Sequence, residues 1–132
     1  MKAFDVMTTN LVAAREGTTA REIGTKLLIG NFNGLPVINS SIKVIGIVTA
    51  VDILRAIRQG KNLDSIRAVD IMTGNPVIVK QDTEINSFFF DILQKHIILV
   101  PVINDQHRLV GVVSRLDILQ NLSEKFVTIG GT

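Results

Sequence analysis

The chain has 132 residues, 46% of them hydrophobic and 20% charged, with a net charge of +2. That is the size of one compact domain with ample material for a core, and it excludes disorder except in a short tail ending Ile129-Gly130-Gly131-Thr132. The basic residues are scattered, so no nucleic-acid stripe forms, and the absence of cysteine excludes disulfides, thiolate chemistry and Cys-ligated zinc. The longest apolar stretch, Ile97 to Ile103, contains Pro101 and is far short of a membrane span. Met1-Lys2-Ala3-Phe4-Asp5 lacks the apolar region of a secretion signal, so a soluble cytoplasmic protein is expected.

In chain order, Leu11-Val12-Ala13 reads as a short strand. Thr19 and Glu22 form a capping-box pattern that opens a helix. Ala20, Ile23, Leu27 and Leu28 follow at helical spacing, and Gly30 closes it. Leu35 to Asn39 is an almost wholly apolar strand, as expected when both faces are buried. Asn39-Ser40-Ser41 turns into a second strand, Lys43 to Thr49, and a helix starts near Asp52 with Ile53, Leu54 and Ile57. The linker runs from Arg58 to Val69. The pattern then recurs: a strand at Pro76–Val79, a helix from about Glu84 to Lys95, strands at Val100–Asn104 and Leu109–Ser114, and a helix from about Leu116 to Lys125.

The recurrence is also literal. Asp5-Val6-Met7-Thr8 returns as Asp70-Ile71-Met72-Thr73, and Leu35-Pro36-Val37-Ile38-Asn39 returns as Val100-Pro101-Val102-Ile103-Asn104. Gly46-Ile47-Val48-Thr49-Ala50-Val51-Asp52-Ile53-Leu54 returns as Gly111-Val112-Val113-Ser114-Arg115-Leu116-Asp117-Ile118-Leu119. All three pairs keep one offset of 65 residues, so one supersecondary unit is used twice. The expected boundaries are repeat 1 at 1–60, a linker at 61–69, repeat 2 at 70–125 and a tail at 126–132. The fold class is α+β: two β-α-β-β-α repeats packed sheet to sheet with pseudo-twofold symmetry, since one repeat alone buries too little.

These three motifs, in this order and twice, resemble a tandem pair of cystathionine-β-synthase (CBS) domains, a Bateman module, over about residues 4 to 124. The resemblance implies a regulatory module without catalysis. It implies adenosine-containing ligands (AMP, ADP, ATP or S-adenosylmethionine) in clefts formed by the two repeats. It implies that the closing Asp takes the ribose hydroxyls and the Thr or Ser three residues earlier touches ribose or phosphate. One cleft would then combine Thr49 and Asp52 with Thr73, Val77, Ile98 and Leu99. The other would combine Ser114 and Asp117 with Thr8, Val12, Asn33, Gly34 and Val112. The Ile97–Leu99 side offers the adenine amine no polar group except backbone.

The residues support this on their own terms. Thr49 and Ser114 each end a strand and open a helix, whose unpaired amides and partial positive charge suit phosphate. A carboxylate accepts both donors of a ribose cis-diol. Arg115 stands where the first repeat has Ala50, so the Asp117 cleft is expected to favour the more anionic ligand. The bland reading remains beside it: Thr49-x-x-Asp52 and Ser114-x-x-Asp117 are also capping boxes, worth ~1 kcal/mol without any ligand. Asp5 and Asp70 read as caps, and His96 and His107 as solvated, with no metal-ligand spacing. Arg55, Arg58 and Lys61 read as a solvated surface, with phosphate contact as the lesser alternative. Phe88, Phe89 and Phe90 span too much helical arc to face one core, which leaves Phe90 either for a homodimer or partner interface, as the resemblance implies dimerisation through helices, or for simple partial burial. The expected function is a ligand-sensing module acting through an effector protein or its own association. A dimerisation adaptor with unused clefts is the alternative.

Overall fold

In a computed structural model, residues 1–130 are described in backbone and residues 1–122 in side chains as well. Among the described residues, six helices and seven strands form a mixed α+β structure with two sheets, one ordered β1-β2-β3-β4 and the other β5-β6-β7. The chain divides into two compact units that cut across the sequence halves. The unit carrying Asp52 holds Val12–Val77 and Gln106–Leu109; the unit carrying Asp117 holds Met1–Leu11, Ile78–Asp105 and Val110–Thr132.

In the Asp52 unit, β1 (Ala14–Arg15) runs parallel to β2 (Gly34–Ile38), which pairs antiparallel with β3 (Val44–Thr49). The first strand lies two to three residues later than the expected Leu11–Ala13, because ladder pairing begins where Ala14 meets Val37. All five residues of β2 are buried, as its unbroken apolar run requires. Helix α2 (Ala20–Gly30) starts at the expected cap: Thr19 Oγ1 accepts the Glu22 amide at 3.2 Å and donates to Glu22 Oε1 at 3.1 Å. It ends on Asn31 in the left-handed conformation, φ 54°. Ala20, Ile23 and Leu27 are buried with Leu35, Val37, Val48 and Ile53, each large side chain contributing roughly 1.5–3 kcal/mol. Leu28 departs from its expected core place; one residue past Leu27 on the helix, it turns outward and is 84% exposed.

The stretch after α3 (Ala50–Arg58) is no free linker. The Ile66 and Leu63 carbonyls accept the Ala20 and Arg21 amides, and Asp64 pairs with Arg21. That hydrogen bond holds the Asp64 carboxyl below its usual pKa. Helix α4 (Ala68–Ile71) and strand β4 (Thr73–Gly74) follow, and β4 lies antiparallel on β3 with Thr73 opposite Ile47. The sequence reading placed no strand there.

The Asp117 unit repeats these parts with different chain segments. Strand β5 (Val79–Lys80) is parallel to β6 (Leu99–Ile103), which neighbours β7 (Leu109–Ser114). Thr8 bridges Val112, the position equivalent to Thr73 on Ile47. Helix α1 (Ala3–Val6) takes the role of α4: the Ala3 and Phe4 amides donate to Thr83 and Gln81, as those of Ala68 and Val69 donate to Thr18 and Glu16. Asp5 and Asp70 are the caps of these two helices, each accepting a backbone amide three residues earlier at 2.8 Å. Helix α5 (Asn86–Gln94) buries Phe88 and Ile92, half-buries Phe89 and leaves Phe90 64% exposed. Helix α6 runs Arg115–Gly130, past its expected end at Lys125; of the expected tail, Gly131 and Thr132 lie outside the described residues. His96 and His107 are exposed at left-handed positions.

Candidate functional site

The opening and closing motifs meet in space, and the contact explains why each needs the other. Gly46 and Gly111 lie buried in β3 and β7. A Cβ on Gly46 would stand 2.5 Å from Met72 Sδ, and one on Gly111 would stand 2.5 Å from Met7 Sδ. Each closing glycine is therefore the seat of an opening-motif methionine, which brings Thr73 and Thr8 to the edge of the strand ahead of the closing helix.

Both closing helices begin with a complete capping box. In α3, the Thr49 amide donates to Asp52 Oδ2 at 2.8 Å, Thr49 Oγ1 donates to the same oxygen at 3.0 Å, and the Asp52 amide donates back to Thr49 Oγ1 at 3.3 Å. In α6, Ser114 and Asp117 make the same three bonds at 2.8, 3.0 and 3.2 Å. The cap thus engages Oδ2 in each case, and Oδ1 is turned to a different neighbour. Asp52 Oδ1 faces Arg55 Nη1 at 3.4 Å, and Asp117 Oδ1 accepts Thr8 Oγ1 at 3.0 Å. One oxygen of each carboxylate therefore serves the helix cap, and the other lies outside it.

The structure brings several expected partners together within single units. In the Asp52 unit, the Asn33 carbonyl accepts the Ala50 amide at 2.8 Å, and Gly34 pairs with Thr49 across the ladder. Half-buried Val12 packs against the core cluster, and Val77 is also half-buried in that unit. In the Asp117 unit, Thr8 and Val112 are bridged, Leu99 is buried and Ile98 half-buried. Each expected set therefore has members from both units: Ile98 and Leu99 belong with Asp117, whereas Val12, Asn33 and Gly34 belong with Asp52. Arg115 Nε donates to the Ile97 carbonyl at 3.0 Å, which fixes its guanidinium beside the start of α6.

The sequence reading missed a cavity of about 220 Å³ beside Asp52, lined by Arg55, Ala56, Gln59, Lys61, Asp70 and Ile71. Its signal was present: Asp52, Arg55, Ala56 and Gln59 recur at the spacing of one helical face. Among the described residues, no cluster of three or more His, Cys, Asp or Glu side chains could hold a metal, and no helix is long and apolar enough to cross a membrane.

A sequence profile of the CBS domain matches residues 3–59 and 68–124, and the chain belongs to the CBS domain family. It is 31% identical over 117 residues to the uncharacterized protein MK0525 of Methanopyrus kandleri, covering 88% of this chain and 60% of that protein. It is 29% identical over 114 residues to the L-aspartate semialdehyde sulfurtransferase of Methanocaldococcus jannaschii, covering 86% of this chain and 22% of the enzyme. The chain thus spans 60% and 22% of the lengths of these relatives. Among solved structures, the CBS domain pair of protein MJ0100, in complex with 5′-methylthioadenosine and S-adenosyl-L-methionine, superposes with a TM-score of 0.82 at 27% identity over 92% of this chain and 99% of that one. CBSX2 in complex with AMP shares the fold, with a TM-score of 0.82 at 22% identity over 94% and 97% of the two chains.

Proposed function

We propose that the chain is a non-catalytic, cytoplasmic sensor that grips adenosine-containing ligands at two places, Thr49 with Asp52 and Ser114 with Asp117. The reading rests above all on the division of each carboxylate: on these half-buried residues Oδ2 caps a helix and Oδ1 lies outside the cap, where a ribose hydroxyl could compete for it. The likeness to a CBS pair that binds methylthioadenosine and S-adenosylmethionine supports an adenosyl ligand. AMP, ADP, ATP and S-adenosylmethionine all carry the required diol. These ligands are regulatory, and no resident cofactor is part of the reading. Arg115 favours an anionic ligand at the Asp117 site, because its guanidinium is already anchored beside the α6 N-terminus.

The test is a thermal melt with AMP, ATP, S-adenosylmethionine and methylthioadenosine. Ligand at a hundredfold excess over Kd adds about 2.7 kcal/mol, a rise of several degrees in Tm. No rise with any of the four would favour the adaptor with unused sites.

The output surface is a second copy of the chain, from which occupancy is passed to an effector protein. The closing helices expose matching apolar positions, Val51 and Leu54 on α3 against Leu116 and Leu119 on α6, and α5 adds Phe90 and Leu93. Such repeated, unpartnered apolar faces fit a self-complementary interface. Sedimentation is expected to give a dimer, and the Leu54→Asp/Leu119→Asp variant a folded monomer. A monomeric parent chain would refute the dimer.

A further inference from the structure

The two carboxylates are alike at Oδ2 and unlike at Oδ1. An ionised carboxylate offers about four acceptor positions. On each aspartate the cap occupies two of them, through the amide and hydroxyl of Thr49 or Ser114. At Asp52 the third position holds Arg55 Nη1 at 3.4 Å, from a side chain that is 62% exposed. At Asp117 it holds Thr8 Oγ1 at 3.0 Å in a part-buried bond. The difference is written in the sequence, because the repeat places neutral Gln120 where the first closing helix has Arg55.

The two occupants differ in how easily they leave. The Arg55 guanidinium is a long, solvated side chain, and an exposed pair of this kind is worth little. Thr8 is pinned: its amide donates to the Val112 carbonyl at 2.8 Å and its carbonyl accepts the Val112 amide at 3.0 Å. With its backbone held by the bridge, Thr8 can withdraw its hydroxyl from Asp117 only by turning about χ1, not by moving off as a long side chain would. Its bond to the carboxylate is also the shorter of the two, 3.0 Å against 3.4 Å for Arg55. Thr73 holds the same register on Ile47, but its hydroxyl is exposed and makes no hydrogen bond among the described residues.

A ribose diol brings two donors, and after the cap and Thr8 only one acceptor position is left on Asp117. We propose that the Thr8 hydroxyl is a built-in occupant of the Asp117 grip that competes with ribose, so that the two sites fill in order, Asp52 before Asp117. This rests on the nucleoside-binding reading above. It makes Thr8 the residue that sets the spacing of the two affinities, and with it the ligand range over which the chain responds.

Calorimetric titration of the whole chain with 5′-methylthioadenosine tests this, since that ligand has the diol but no phosphate for nearby basic residues to hold. The parent chain is expected to show two separated binding steps. Thr8→Val is expected to tighten the weaker step about fivefold or more, the equivalent of one lost competing hydrogen bond. Thr8→Ser, which restores the hydroxyl, is expected to return that step to its weaker value. The tighter step reports the folding of each sample. A weaker step that is unchanged or further weakened in Thr8→Val would overturn the competition and leave the binding reading standing. No heat from the parent chain with either methylthioadenosine or AMP would overturn the binding reading itself, and the competition with it.

Discussion

Asp52→Asn is expected to weaken ligand binding at its site by roughly 10- to 100-fold, and Asp117→Asn to do the same at the other. The magnitude follows from the 1.5–3 kcal/mol carried by a hydrogen bond to a charged group, of which the diol makes up to two. The substitution keeps size and retains an acceptor for the Thr49 amide, so the helix cap should lose no more than about 1 kcal/mol. Affinity and stability therefore separate. Calorimetry should show one binding step lost from each single variant, while the ligand-free melting temperature moves by only a few degrees. Equal affinity in parent and variant would mean that the carboxylates serve the helices alone.

Gly46→Ala is expected to destabilise the chain by roughly 2–3 kcal/mol, and Gly111→Ala by about half as much. Both methyl groups would run into a methionine thioether, but the surroundings differ. At Gly46 the added carbon would also stand 2.8 Å from the Thr73 carbonyl oxygen, part of the backbone of β4. At Gly111 the close atoms all belong to Met7, at 2.5, 3.0 and 3.2 Å. A flexible side chain can swing aside where a paired backbone cannot. Denaturant titration of both variants checks the order; equal losses would mean that β4 gives way as readily as a methionine does.

Much of this architecture was legible because its signals are local. Thr19 with Glu22, Thr49 with Asp52 and Ser114 with Asp117 sit three residues apart, and each cap formed where that spacing put it. The all-apolar runs of β2 and β6 became central, buried strands for the same reason. What escaped the sequence is non-local. Thr8 and Asp117 lie 109 residues apart, and nothing in either segment announces that one will donate to the other. β4 escaped because two residues, Thr73 and Gly74, carry no period of their own and become a strand only by finding the edge of β3. Leu28 shows the opposite failure: its spacing suited the buried stripe of α2, but one residue of rotation took it to the outside. Arg55 and Lys61 were read as solvated charges, and the cavity they help to line exists only once α3 and α4 are packed together.

The exchange of opening segments makes each half of the gene depend on the other. Strand β3 is covered along its outer edge by residues that the chain supplies only after Gly60, while β7 is bridged by Thr8, which the first half encodes. A ribosome releasing only the first sixty residues would present a raw sheet margin, the kind of surface that recruits unwanted neighbours. Duplication here therefore yielded two interdependent copies, and loss of the segment around Thr8 would unseat β7, which the second half encodes.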